Sequence, residues 1–152
     1  MLTKEFFFAG RAVWTVANKQ TGKHFTFKLR IKSDPQYGKT MYISERIDSG
    51  WGYVGILRKE DWTVVLTKAS VRRDHRLSPT DTVVKAINWF FFMLKNEREW
   101  PEYIEIKHEG KCGRCGRALT HPDSLKTGIG PDCAGRVGQE STKAKSYTVY
   151  ND

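Results

Sequence analysis

The sequence predicts an α+β fold: a twisted antiparallel sheet, one main helix packed on it, and a small C-terminal zinc-binding lobe. Three observations carry this. The N-terminal half is a series of short apolar runs separated by turn residues. One later stretch, "SPTDTVVKAINWFFFMLK", has helical periodicity behind a helix-start signal. All 3 cysteines fall within "CGRCGRALTHPDSLKTGIGPDC", at spacings that metal sites use.

The first two strands lie in "EFFFAGRAVWTVANKQTGKHFTFKLRIK", where "NKQTGK" supplies a hairpin turn with its glycine. In the second run Phe25, Phe27, Leu29 and Ile31 alternate with Thr26, Lys28, Arg30 and Lys32. One face is apolar and the other basic, as in a sheet solvated on one side. The phenylalanines lie opposite the cations, so the strand reads as core plus solvent rather than a base-stacking platform. "SDPQYGK" is a loop, and "TMYISERI", "WGYVGILR" and "WTVVLTKAS" are further strands. "VRRDHRLSP" reads as a cationic connector, with Arg72, Arg73 and Arg76 as exposed loop residues.

The helix is predicted to start with Ser78 as N-cap and Pro79 in the first helical position, with Asp81 three residues after the cap. Val83, Ile87, Phe90, Phe91 and Leu94 form its apolar stripe, and Pro101 limits its far end. Trp89, Phe92 and Met93 lie off that stripe, so the helix is apolar nearly all round. Such a helix is expected to be buried on two sides, here between the sheet and the zinc lobe. The competing reading makes Trp89 and Phe92 a protein-binding patch. "YIEIK" is one more strand, leading into the cysteines. The expected division is a sheet-plus-helix domain over 1–107, the zinc lobe over 108–137, and a flexible tail over 138–152.

Among the 152 residues, 39% are hydrophobic and 12% aromatic, a globular composition. The 26 Lys and Arg against 17 Asp and Glu leave a net charge of +9, which suits a polyanionic partner such as nucleic acid. No apolar run approaches the roughly 20 residues that span a bilayer, and "MLTKEFFFAGRAVW" lacks a signal-peptide layout. The expected location is therefore cytoplasmic, where clustered thiols bind metal more often than they pair.

Cys112-Gly-Arg-Cys115-Gly116 has the form of a zinc knuckle, and a second turn around Gly128–Cys133 presents the third sulfur. Zinc is the expected ion, with iron as the alternative. For the fourth ligand, His108 gives H-x3-C-x2-C-x17-C and His121 lies inside the excursion to Cys133. Asp123 and Asp132 are weaker candidates. A zinc deaminase needs H-x-E well upstream of P-C-x-x-C. Here Glu109 directly follows His108 and no proline precedes Cys112, so a closed structural site is expected. No P-loop, G-x-S-x-G or H-E-x-x-H is present, and the expectation is a protein without enzymatic activity. Lys111, Arg114, Arg117, Lys126 and Arg136 surround the knuckle as candidate phosphate contacts.

The segment "HEGKCGRCGRALTHPDSLKTGIGPDC" resembles a family of unknown function common in phage and prophage proteins. The resemblance reaches upstream through "VWTVANKQTGKHFTFKLR" and "AINWFFFMLK" but is dense only over Glu109–Cys133. Relatives carry the histidine before the knuckle, which favours His108, with Cys112, Cys115 and Cys133, as the ligand set. The resemblance implies a phage-type accessory protein acting in a host bacterial cytoplasm. With the charge, it gives the expected function of binding nucleic acid or a nucleoprotein complex. The alternative is a protein-binding inhibitor or modulator of a host enzyme, such as a defence nuclease or polymerase.

Overall fold

The hairpin predicted around "NKQTGK" forms, and the rest of the sheet grows from it. The computed structural model describes residues 2–36, 38–72 and 76–137. The predicted tail over 138–152 and Arg73 of the predicted connector lie outside these residues. Strands β1 (Arg11–Asn18) and β2 (His24–Asp34) pair antiparallel, with Trp14 opposite Phe27. Asn18 closes the turn, its Oδ1 accepting from the N–H groups of Gln20 and Thr21. Strands β3 (Gly38–Ile47) and β4 (Gly50–Leu57) continue the meander, and β5 (Val64–Val65) ends it. Strand β6 (Ile104–His108) returns to the free side of β1, giving a 6-stranded sheet in the order β5-β4-β3-β2-β1-β6. Every pairing is antiparallel.

Among the described residues four helices accompany the sheet: α1 (Lys4–Phe7), α2 (Lys68–Arg72), α3 (Thr82–Lys95) and α4 (Pro122–Thr127). Three local expectations are corrected. Residues 5–7, at the head of the first predicted run, are helical rather than strand: consecutive Phe6 and Phe7 are both buried, which the alternation of a strand that buries only one face does not allow. The strand expected over "WTVVLTKAS" is reduced to β5 and followed by α2. Buried Ser70 dictates that change, since its Oγ donates to the Val54 carbonyl at 2.5 Å and accepts from the Thr67 N–H at 2.9 Å. The N-cap of α3 is Asp81 rather than Ser78. The Asp81 carboxylate accepts from the Ser78 N–H at 2.7 Å, closing a turn through Pro79 before the helix begins.

Trp14 is the centre of the core, fully buried against Phe7 at 5.1 Å, Phe90 at 5.2 Å and Phe27 at 6.0 Å between ring centroids. Helix α3 closes that core with Val83, Val84, Ile87, Phe90, Phe91 and Leu94. Its outer side stays open, with Phe92 51% exposed and Trp89 half-buried against Trp100 at 5.7 Å. The expectation of burial on two sides does not hold at Phe92. The element that meets the cysteine lobe is α1, because a Cβ on Gly113 would lie 2.8 Å from Cδ1 of Phe6. Sheet and lobe share one hydrophobic cluster, in which Cys112, Cys115, Leu119, Ile129 and Cys133 join the strand and helix residues.

Candidate metal centre

Pairing of β6 with β1 sets His108 opposite Trp14, so the cysteine segment leaves the sheet directly over α1. The knuckle is a short hairpin. Lys111 bridges Ala118, the Cys112 N–H donates to the Arg117 carbonyl at 2.8 Å, and the Gly116 N–H donates to the Cys112 carbonyl at 2.8 Å. Gly116 takes φ 78, the left-handed conformation that this turn needs and that glycine adopts without penalty. The lobe is tied to the sheet where the Arg11 N–H donates to the Gly113 carbonyl at 2.7 Å.

The long excursion between Cys115 and Cys133 contains α4. His121 is its N-cap, accepting at Nδ1 from the Asp123 N–H at 3.3 Å, and Pro122 opens the helix. Gly128 ends it at φ 73, with its N–H donating to the Ser124 carbonyl at 2.8 Å. The chain then turns at Gly130, whose carbonyl accepts from the Cys133 N–H at 3.1 Å, and brings the third sulfur back to the first two.

The Sγ atoms of Cys112, Cys115 and Cys133 lie within 4.8 Å of one another, and all three residues are buried. Tetrahedral zinc with Zn–S of about 2.3 Å sets sulfur spacings of about 3.8 Å, so small side-chain adjustments suffice to hold it. The surrounding donors suit thiolates. Sγ of Cys112 accepts from the N–H groups of Gly130 at 3.2 Å and Arg114 at 3.4 Å. Burial pushes the Cys112 thiol up, yet these N–H donors outweigh it and bring the thiol below its ordinary value. Burial pushes Cys115 up to about 12, with the neighbouring Cys112 charge adding to the rise against an opposing Arg117 N–H. A divalent cation held by the three sulfurs would replace their protons. Arg11 adds positive charge within electrostatic reach of Cys115, and its Nη1 is buried with no hydrogen-bond partner among the described residues. The residues fit a metal.

Neither His108, predicted as the fourth ligand, nor His121 is part of this group among the described residues. Nε2 of His108 contacts the Leu125 carbonyl at 2.5 Å, and its Nδ1 accepts from the Gly110 N–H at 2.8 Å. Both ring nitrogens are therefore engaged by backbone groups. His121 instead lines a cavity of about 250 Å³ together with Cys112, Cys115, Cys133 and Asp132. Asp132 is also paired with Arg117 at 3.6 Å.

The predicted phosphate contacts separate into two groups. Arg117, Lys126 and Arg136 are exposed and Lys111 is half-exposed. Arg114 is buried, and its Nη1 donates to Sγ of Cys133 at 3.3 Å. It faces the sulfurs, a role that the run of basic residues around the knuckle concealed. Arg11 was also missed, because nothing in its sequence neighbourhood points to cysteines a hundred residues away.

No helix among the described residues is long and apolar enough to cross a membrane. No curated protein and no solved structure matches the chain. The segment that contributes most of β6 and all three sulfurs, residues 105–138, matches the model of a family of unknown function (DUF6011).

Proposed function

We propose that the C-terminal lobe is a closed structural zinc site that presents a basic surface to nucleic acid, in a phage-type accessory protein without catalytic activity. The ligands are Cys112, Cys115 and Cys133, with His121 in the fourth position. As N-cap, His121 engages Nδ1 with the backbone and leaves Nε2 for the ion. Bound zinc supplies a tetrahedral cross-link between the knuckle and the Gly130 turn. Three thiolates and one imidazole leave the occupied site with one net negative charge, which the buried guanidinium of Arg114 offsets.

The observation that carries the nucleic-acid reading is the division of the lobe's cations. One arginine is spent on the sulfurs, while Arg117, which also pairs with Asp132 at 3.6 Å, Lys126 and Arg136 are exposed on the lobe. Exposed arginines favour phosphate recognition because the planar guanidinium can donate two parallel hydrogen bonds to one phosphate. A gel-shift series in increasing salt tests this. Phosphate neutralisation predicts affinity that falls steeply with salt, and Arg117→Ala with Arg136→Ala flattens that slope by about one to two units. Salt-insensitive binding, or none, removes the reading.

A second reading, protein-binding modulation of a host enzyme, is favoured by the open side of α3. Phe92 is 51% exposed there, with the Arg98 guanidinium 5.7 Å from its ring centroid. Beside it a groove of about 480 Å³ is lined by Met93, Leu94 and Trp100. An aromatic anchor next to a groove is what a protein partner uses. Phe92→Ala would abolish capture of such a partner and leave nucleic-acid affinity unchanged.

A further inference from the structure

The face of the sheet turned away from α3 carries a second chemical surface. Alternation along β1 and β2 places Arg11, Lys28, Arg30 and Lys32 on it, with Arg11 directly opposite Arg30. Register with β3 then sets Tyr42 opposite Arg30 and Ser44 opposite Lys28. Strand β4 adds Tyr53 opposite Ser44 and Trp51 opposite Arg46. The cations of β2 and β3 therefore share a face with one tryptophan and a pair of tyrosines. The phenylalanines of β2 are on the other side, but the aromatics that matter come from neighbouring strands.

The contacts bear this out. The Trp51 ring has Nζ of Lys28 at 4.6 Å and the guanidinium carbon of Arg46 at 4.8 Å from its centroid. Tyr42 and Tyr53 are 6.4 Å apart, and all three rings are half-buried. Acidic groups lie at the margins: Asp34 ends β2, Glu105 pairs with Lys107 at 3.3 Å on β6, and Glu109 reaches in to pair with Arg46. The middle of the face is cationic and aromatic. Burial, followed by repulsion from Arg30, Lys32 and Arg11, pulls the Lys28 amine down to about 8. Positive groups crowded in this way are held at a cost that a bound polyanion relieves.

We propose that this face is a binding platform for single-stranded nucleic acid, with phosphates taken by its cations and bases by its aromatic side chains. Half-buried rings among cations suit unpaired bases, which expose their π-faces, whereas a duplex keeps its bases stacked inside. The proposal rests on the nucleic-acid reading above for the class of ligand and adds a second surface and the strand state.

The test is fluorescence anisotropy of labelled oligo-dT and oligo-U, each about 20 nucleotides, against a duplex of equal length, with the full zinc-loaded chain. The expected result is tighter binding of single strands than of duplex. Lys32→Glu, an exposed position, and Arg46→Gln each weaken single-strand binding about three- to tenfold and lower the salt slope by about one. Trp51→Leu weakens it about tenfold with the slope unchanged, since stacking releases no counterions. Circular dichroism confirms that each variant is folded, and Lys32→Glu keeps the test decisive if Trp51→Leu is not. Single-strand binding that survives all three changes while Arg117→Ala weakens it overturns the platform and leaves the nucleic-acid reading standing. Equal or tighter binding of duplex also overturns it. Absence of binding to every probe overturns both.

Discussion

Nη1 of Arg114 donates to Sγ of Cys133 at 3.3 Å, and both side chains are buried. This pair joins the knuckle to the Gly130 turn on the same path that the metal would bridge. Arg114→Ala leaves the sulfur without that donor, at a cost of about 1.5–3 kcal/mol for a charge-assisted bond. The expected outcome is a lower melting temperature and faster transfer of zinc to a chromogenic chelator, with the salt slope of nucleic-acid binding unchanged. Exposed Arg117→Ala should do the reverse.

Phe6 fixes the lobe to the sheet through contact with two glycines, Gly113 and Gly128. Gly128→Ala combines a left-handed backbone at φ 73 with a clash against the Phe6 ring. The backbone alone costs about 1–2 kcal/mol, so the total should exceed that range in urea denaturation. Phe6→Ala should cost about 3–5 kcal/mol, as for other buried aromatics.

Zinc retention should discriminate the two histidines. His121→Ala is expected to lower zinc affinity at least tenfold, measured by competition with a chelator. His108→Ala should keep full zinc stoichiometry and lose only the stability of its contacts to Leu125 and Gly110. The reverse result would return His108 to the ligand set.

Stability should respond to pH through Lys28. Its amine is pulled down to about 8 in the fold, mainly by burial, from an ordinary value of 10.5. Between those values the unfolded chain binds the extra proton, so stability rises as pH increases from about 8 to 10.5. Urea midpoints at pH 7.5 and 9.5 should therefore rise more for the native chain than for Lys28→Met.

The legible parts of the fold were those set by local chemistry. Turn residues such as Asn18 and Gly22, the stripe on α3 and the C-x2-C knuckle are each determined by neighbours in sequence. Alternation in β2 correctly assigned Phe27 and Leu29 to the core. What stayed hidden depended on strand register. Nothing near Lys28 indicates that Trp51 lies over it, because a bulge between Ile43 and Ser44 resets the pairing of β3 with β4. The helical turn at Lys4–Phe7 is concealed in the same way, since Phe7 is buried against Trp14 and Phe90, distant in the chain. Spacing alone does not choose between the histidines: His108 has the more suggestive position in the sequence, while the fold engages its ring with the Leu125 carbonyl.

In the proposed site three buried sulfurs and one histidine hold a structural zinc. Metal analysis of protein purified without chelator, paired with native thiol titration, tests it most directly. The expected result is one zinc per chain and no reactive thiol until a chelator is added, after which all three cysteines react and the melting temperature drops. Metal-free protein with three freely reactive thiols and an unchanged melting temperature after chelation would contradict it.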